Sequence, residues 1–168
     1  MYISEICTRD VVSCARSAGV QGLAQLMRDR QVGDVVVVDR GELGAVPVGI
    51  VTDRDIVVRV VAKGLNVGAV TASDLMSEPV ATAFDSETVY DAIWRMRNAG
   101  IRRLPVVDAQ GVLLGVVSMD DISAHLASEL ADMVRIVPSQ GRREQQALCS
   151  APPEPIARIR MRAQLGAG

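Results

Sequence analysis

Aromatic side chains are almost missing from this chain: Tyr2, Phe84, Tyr90 and Trp94 make up 2% of its 168 residues. Proteins that hold single-stranded nucleic acid by base stacking need aromatic platforms, so that class of function is disfavoured. Histidine occurs once, as His125, and cysteine three times, as Cys7, Cys14 and Cys149. No C-x-x-C pair is present and the number is odd, which argues against a disulfide framework and for a reducing, cytoplasmic setting. A single histidine offers no tetrahedral site by spacing; a metal would need His125 to meet the scattered cysteines in space. No apolar run approaches the roughly 20 residues that cross a bilayer, and residues 35–38 and 48–51 have strand lengths instead. The start, MYISEICTRD, has an early Glu and no apolar core, so no secretory signal is expected. The net charge of −2 gives no global pull toward nucleic acid or an anionic surface.

What is present is apolar and repeated. Hydrophobic residues reach 49%, enough for a packed core. The stretch Gly49-Ile50-Val51-Thr52-Asp53-Arg54-Asp55-Ile56 returns as Gly115-Val116-Val117-Ser118-Met119-Asp120-Asp121-Ile122. Upstream of it the chain matches itself at an offset of 69, placing Val37-Val38-Asp39 on Val106-Val107-Asp108; beyond, the offset is 66 because the first copy has a longer turn. Insertions in surface turns cost little, so the repeat survives them. The copies are read as residues 4–62 and 73–130, with a linker at 63–72 and a C-terminal extension at 131–168.

Each copy carries the same periodicities. Val20, Leu23, Ala24 and Met27 fall on one helical face, as do Val89, Ala92, Ile93 and Met96. A β-branched run follows (residues 35–38 or 104–107), then a Gly-containing turn, a second strand and a closing helix. In those closing helices Ile56 and Val60, or Ile122, Leu126 and Leu130, are expected to face inward. The fold class is therefore α/β (α+β): two β-α-β-β-α repeats. A unit of about 60 residues is marginal alone. The two are expected to share a core about a pseudo-twofold axis.

The repeated octapeptide switches from strand to helix at its hydroxyl. A helix start has unpaired N–H groups and a positive dipole end, which favour an anion. Thr52 and Ser118 stand there. Asp55 and Asp121 follow one turn later, and a carboxylate can accept from two neighbouring hydroxyls, as a ribose presents them. The chemistry suggests a nucleoside phosphate. The same spacing, [ST]-x-x-[DE], is also an ordinary capping box, and the two uses are compatible.

The octapeptides, the run Leu104-Pro105-Val106-Val107-Asp108 and the helix Asp91-Ala92-Ile93-Trp94-Arg95-Met96 resemble cystathionine-β-synthase (CBS) domains. The tandem pair over residues 3–130 is similar to a Bateman module, and Val51 to Val57 with Ala62 to Leu65 resembles stand-alone bacterial members, including stress- or hypoxia-responsive ones. The resemblance implies an adenine nucleotide (AMP, ADP or ATP) bound between the repeats. Asp55 and Asp121 would take ribose hydroxyls, and Thr52 and Ser118 phosphate or ribose. The segments Val11-Val12-Ser13 and Val80-Ala81-Thr82 would hold adenine. It also implies a homodimer. An effector protein is expected in trans, and neither a membrane nor nucleic acid is expected as a partner.

Arg103, before the second strand run, is a candidate phosphate ligand. Its twin is Asp34, and Arg54 is matched by Asp120, so the two clefts are expected to differ in affinity. No catalytic motif appears, and a non-enzymatic module is expected. Its alternatives are a structural dimerisation module with vestigial clefts, a metal-, NAD- or S-adenosylmethionine-binding variant, or a hydrolase using the paired acids. Past Val137-Pro138, residues 139–155 read as a linker and residues 156–168 as a disordered or basic strip.

Overall fold

The computed structural model describes residues 1–150, with residues 137–150 described by their backbone alone. The expected basic strip at 156–168 and the end of the expected linker lie outside the described residues. The chain divides into two units, Met1–His125 and Leu126–Gly168.

Within the first unit, each repeat forms one three-stranded sheet. The first has β1 (Ser13–Cys14), β2 (Asp34–Arg40) and β3 (Ala45–Thr52); the second has β4 (Ala83–Phe84), β5 (Arg103–Val107) and β6 (Leu113–Ser118). In both, the short strand pairs parallel to the middle one, and the middle one antiparallel to the last. Helix α1 (Val20–Arg30) crosses from β1 to β2, and α4 (Val89–Ala99) crosses from β4 to β5. Each ends on a left-handed residue, Gln31 at φ 55° and Gly100 at φ 65°. After β3 the chain makes α2 (Asp53–Ile56) and a π-helical turn over Val57–Val61, then α3 (Ala72–Leu75); after β6 it enters α5 (Met119–Ser150).

Two clusters form the core. Val20, Leu23 and Met27 pack with Val35, Val37, Val51 and Val60. Val89, Ala92 and Met96 pack with Leu104, Val106, Val117 and Ile122. No aromatic enters either: all four are exposed. Ala24, expected inward, is exposed, and Ile56 is partly buried against the first cluster.

The two repeats exchange their leading segments. Ile3 is fully buried in the second cluster, while Ala72, Leu75 and Met76 complete the first. Every crossing bridge has a twin under the sequence offset. Thr8 meets Val116 and Ser77 meets Ile50; Tyr2 meets Thr88 and Thr71 meets Gly19. These pairs are the pseudo-twofold axis expressed in hydrogen bonds. They also account for the glycine that opens each octapeptide. A Cβ on Gly49 would stand 2.6 Å from the Met76 sulfur, and one on Gly115 would stand 2.9 Å from both Cys7 Sγ and the Thr8 carbonyl oxygen. The crossing segment leaves no room for a side chain there.

Two expectations are corrected downstream. Leu126 and Leu130 are exposed, not inward, because Ile122 already closes the second cluster at the first turn of α5. The expected linker from residue 139 is helical as far as Ser150. The good helix formers of Arg142-Arg143-Glu144-Gln145-Gln146-Ala147-Leu148 outweigh the one hydrogen bond that Pro138 removes. In the second unit the described side chains of Leu130, Met133, Val134 and Ile136 are exposed.

Candidate functional site

Two cavities lie between the repeats, and each draws on both. One, of about 640 Å³, is lined by Ile50, Thr52, Asp53, Arg54 and Asp55 from the first repeat and by Val80, Ala81, Ile101, Arg102 and Arg103 from the second. The other, of about 270 Å³, is lined by Val11, Val12, Val32, Asp34 and Val36 from the first repeat and by Arg103, Val116, Ser118 and Asp121 from the second. Ligand pockets run from about 300 to 1,000 Å³; the first falls inside that range and the second just below it.

Of the expected site residues, Thr52, Arg54, Asp55, Val80, Ala81 and Arg103 meet in the larger cavity. Val12, Ser118, Asp121 and again Arg103 meet in the smaller. Ser13 and Thr82 line neither: Ser13 is exposed on β1, and the Thr82 carbonyl accepts a hydrogen bond from Arg95. Sequence reasoning missed Ile50 with its twin Val116, Val32 with its twin Ile101, and Asp10. The offsets of 66 and 69 pair the first four, but only the folded chain turns them toward a shared space.

The hydroxyl and acid of each octapeptide form a reciprocal capping box. Asp55 Oδ2 accepts from the Thr52 hydroxyl at 2.6 Å and from the Thr52 N–H at 2.9 Å, and the Asp55 N–H donates back to Thr52 Oγ1 at 3.2 Å. The second copy repeats this, with the Ser118 hydroxyl donating to Asp121 Oδ2 at 2.6 Å, the Ser118 N–H at 2.8 Å and the return bond at 3.1 Å. In each case the cap holds one carboxylate oxygen and leaves Oδ1 as a fixed acceptor on a residue that lines a cavity.

The same box also forms at Thr71/Asp74 and Thr88/Asp91, neither of which lines the two cavities. Hydrogen bonds from Thr71 and Thr88 hold the Asp74 and Asp91 carboxyls below the usual carboxylate range. The cap alone is therefore local helix chemistry; its placement at a cavity separates Asp55 and Asp121 from Asp74 and Asp91.

The cavities are twins with opposite charge. Where the larger has Pro79, Arg102 and Arg103, the smaller has Asp10, Gly33 and Asp34 at the matching offsets. Asp34 and Arg103 are themselves twins, and they pair with each other, Arg103 Nε standing 2.9 Å from Asp34 Oδ1. Burial pushes the Asp34 carboxyl up from its ordinary value; the Arg103 guanidinium pulls it back down, and Asp53 adds repulsion.

Burial pushes the Cys14 thiol up to about 11, which keeps it protonated and unreactive near neutral pH. Among the described residues no cluster of three His, Cys, Asp or Glu is placed to hold a metal, and no helix is long and apolar enough to cross a membrane.

A family model described as CBS domain matches residues 3–62 and 72–128. An uncharacterized protein of Methanopyrus kandleri is 40% identical over 120 residues, 71% of this chain and 60% of that protein, so the match spans less than two thirds of that relative's length. Hypoxic response protein 1 of Mycobacterium tuberculosis is 31% identical over 104 residues, 61% of this chain and 69% of that protein. The solved structure of a CBS domain protein from Pyrobaculum aerophilum complexed with AMP has a TM-score of 0.65 at 30% identity, covering 76% of this chain and 99% of that one.

Proposed function

The chain belongs to the CBS-domain family, as a tandem pair, and from that premise we propose that it is a non-enzymatic regulatory module that binds adenosine nucleotides between its repeats. The observation that carries the reading is the coincidence of an acid with one open oxygen, a hydroxyl and an apolar slot in each inter-repeat cavity. Asp55 and Asp121 accept from ribose hydroxyls through Oδ1. Ile50, Val80, Ala81 and Ile101 give a base a flat apolar bed, and Arg54, Arg102 and Arg103 offer donors to phosphate. AMP in the Pyrobaculum aerophilum relative supports the ligand class. Signalling follows if a partner protein in the cytoplasm reads a state that the ligand prefers.

Calorimetry with AMP, ADP, ATP and adenosine tests this. Binding of at least one of them, with heat saturating below about millimolar (a free energy beyond about −4 kcal/mol), is the expected result. Silence from every adenosine compound at millimolar concentration would leave only a structural role for the clefts.

The module is also read as a homodimer. Tyr90 and Trp94 stand one turn apart on α4, 82% and 67% exposed, while their twins on α1 are Gln21 and Gln25. Exposed aromatic surface of this kind marks an interface. Trp94→Asp is expected to halve the mass measured by light scattering; an unchanged mass would move the interface elsewhere.

A further inference from the structure

Arg103 is the one charged residue that lines both cavities, and the only arginine among the residues lining the smaller one. It stands on the strand opposite Ser118, as its twin Asp34 stands opposite Thr52. The pair they make lies between the clefts, with Asp34 largely buried at 13% side-chain exposure. Asp53 is also near the pair: its Oδ2 and Arg103 Nη2 fall 3.5 and 3.8 Å from one point, the position of a Cβ on Gly33. The larger cavity sets Arg54, Arg102 and Arg103 against Asp53 and Asp55. The smaller sets Arg103 alone against Asp10, Asp34 and Asp121.

Building on the nucleoside reading above, we propose that the two clefts sort adenosine ligands by charge and contest Arg103: the Thr52/Asp55 cleft takes the phosphorylated nucleoside, and the Ser118/Asp121 cleft takes one without phosphate. Three observations converge on it. A phosphate in the smaller cleft would face Asp10 and Asp34 with one guanidinium to offset both, and like charges in a partly dry site repel strongly. The smaller volume, about 270 against about 640 Å³, suits a nucleoside better than a nucleotide. And a phosphate that draws Arg103 into the larger cleft uncovers Asp34, making the smaller cleft more hostile to a second phosphate. Two sites that compete for one side chain are coupled by that side chain, and the coupling is reciprocal. The chain is thus a one-phosphate device, with a second seat for an uncharged or cationic nucleoside.

Calorimetry with AMP and adenosine on the wild type, Asp55→Ala, Asp121→Ala and Asp34→Asn tests the sorting. The wild type is expected to bind one AMP but two adenosines per chain. Asp55→Ala should weaken AMP by roughly tenfold or more while keeping one adenosine site. Asp121→Ala should leave AMP within about twofold and lose one adenosine site. Asp34→Asn, close to isosteric, removes the competing carboxylate. It should tighten AMP several-fold while the count stays at one per chain, because Arg103 is still the only cation in the smaller cleft. Arg103→Gln is the converse, weakening AMP by roughly tenfold and adenosine by no more than about twofold. Thermal melts of each variant separate misfolding from lost contacts. Two equal AMP sites in the wild type, or an Asp34→Asn protein that binds AMP as the wild type does, would overturn the sorting and leave the nucleoside clefts standing. Failure of adenosine and AMP alike to bind would remove both readings.

Discussion

Asp55→Ala is expected to lower the affinity for AMP by roughly 10- to 100-fold, and Asp55→Ala with Asp121→Ala to abolish measurable binding of every adenosine compound. The size follows from the bonds at stake. A hydrogen bond to a charged group is worth about 1.5–3 kcal/mol, and each 1.4 kcal/mol is a factor of ten. Asp55 also caps α2, so the substitution removes a local helix contact together with a ligand acceptor. Asp91→Ala separates the two effects. It deletes a cap of the same geometry, Thr88 Oγ1 to Asp91 Oδ2 at 2.6 Å, on a residue that lines neither cavity. The expected pattern is AMP affinity lost in Asp55→Ala and retained in Asp91→Ala. Equal affinity in the two variants would mean that Asp55 is a cap and nothing more.

A large stability effect is expected at Gly115. Its missing side chain lets the leading segment of the chain lie against β6, where Thr8 and Val116 exchange two backbone hydrogen bonds at 2.9 Å. A methyl there would meet the Thr8 carbonyl and Cys7 sulfur at 2.9 Å, so Gly115→Ala must push the segment off the strand. Overpacking costs about 1–3 kcal/mol and each strained hydrogen bond about 0.5–1.5 kcal/mol. A loss of about 2–4 kcal/mol in urea unfolding is therefore expected. Gly49→Ala should cost a comparable amount, because Met76 Cβ, which is fixed to the crossing backbone, would stand 2.7 Å from the added carbon. Gly22 is the control. It sits inside α1 with nothing within 4 Å of its would-be Cβ, and Gly22→Ala should stabilise by about 0.5–1 kcal/mol through helix propensity. If Gly115→Ala unfolds at the same urea concentration as the wild type, the exchanged segment does not hold the repeats together.

The periodic features were legible because they are local. The 3.6-residue stripe of Val89, Ala92 and Met96 and the β-branched run of residues 35–38 state their element and their buried face without reference to the rest of the chain. The hydroxyl and acid of each octapeptide were legible for the same reason, since a capping box spans four residues. Leu126 and Leu130 misled because periodicity reports that a face is apolar and not whether a partner covers it. The helix past residue 138 is hidden because prolines and polar residues break the apolar periodicity there, although residues 142–148 are good helix formers.

What the sequence determined by itself is the duplication, plain as a chain that matches itself at offsets of 69 and 66, and the element order and strand-to-helix junction chemistry, which depend on neighbours within a few residues. Tertiary structure alone decided that each leading segment would pack in the other repeat, that the octapeptide glycines make room for it, and that the twins Asp34 and Arg103 would meet. The reason is geometric. A pseudo-twofold axis brings residues 69 apart into contact, and no pattern read along the chain shows which positions lie on that axis.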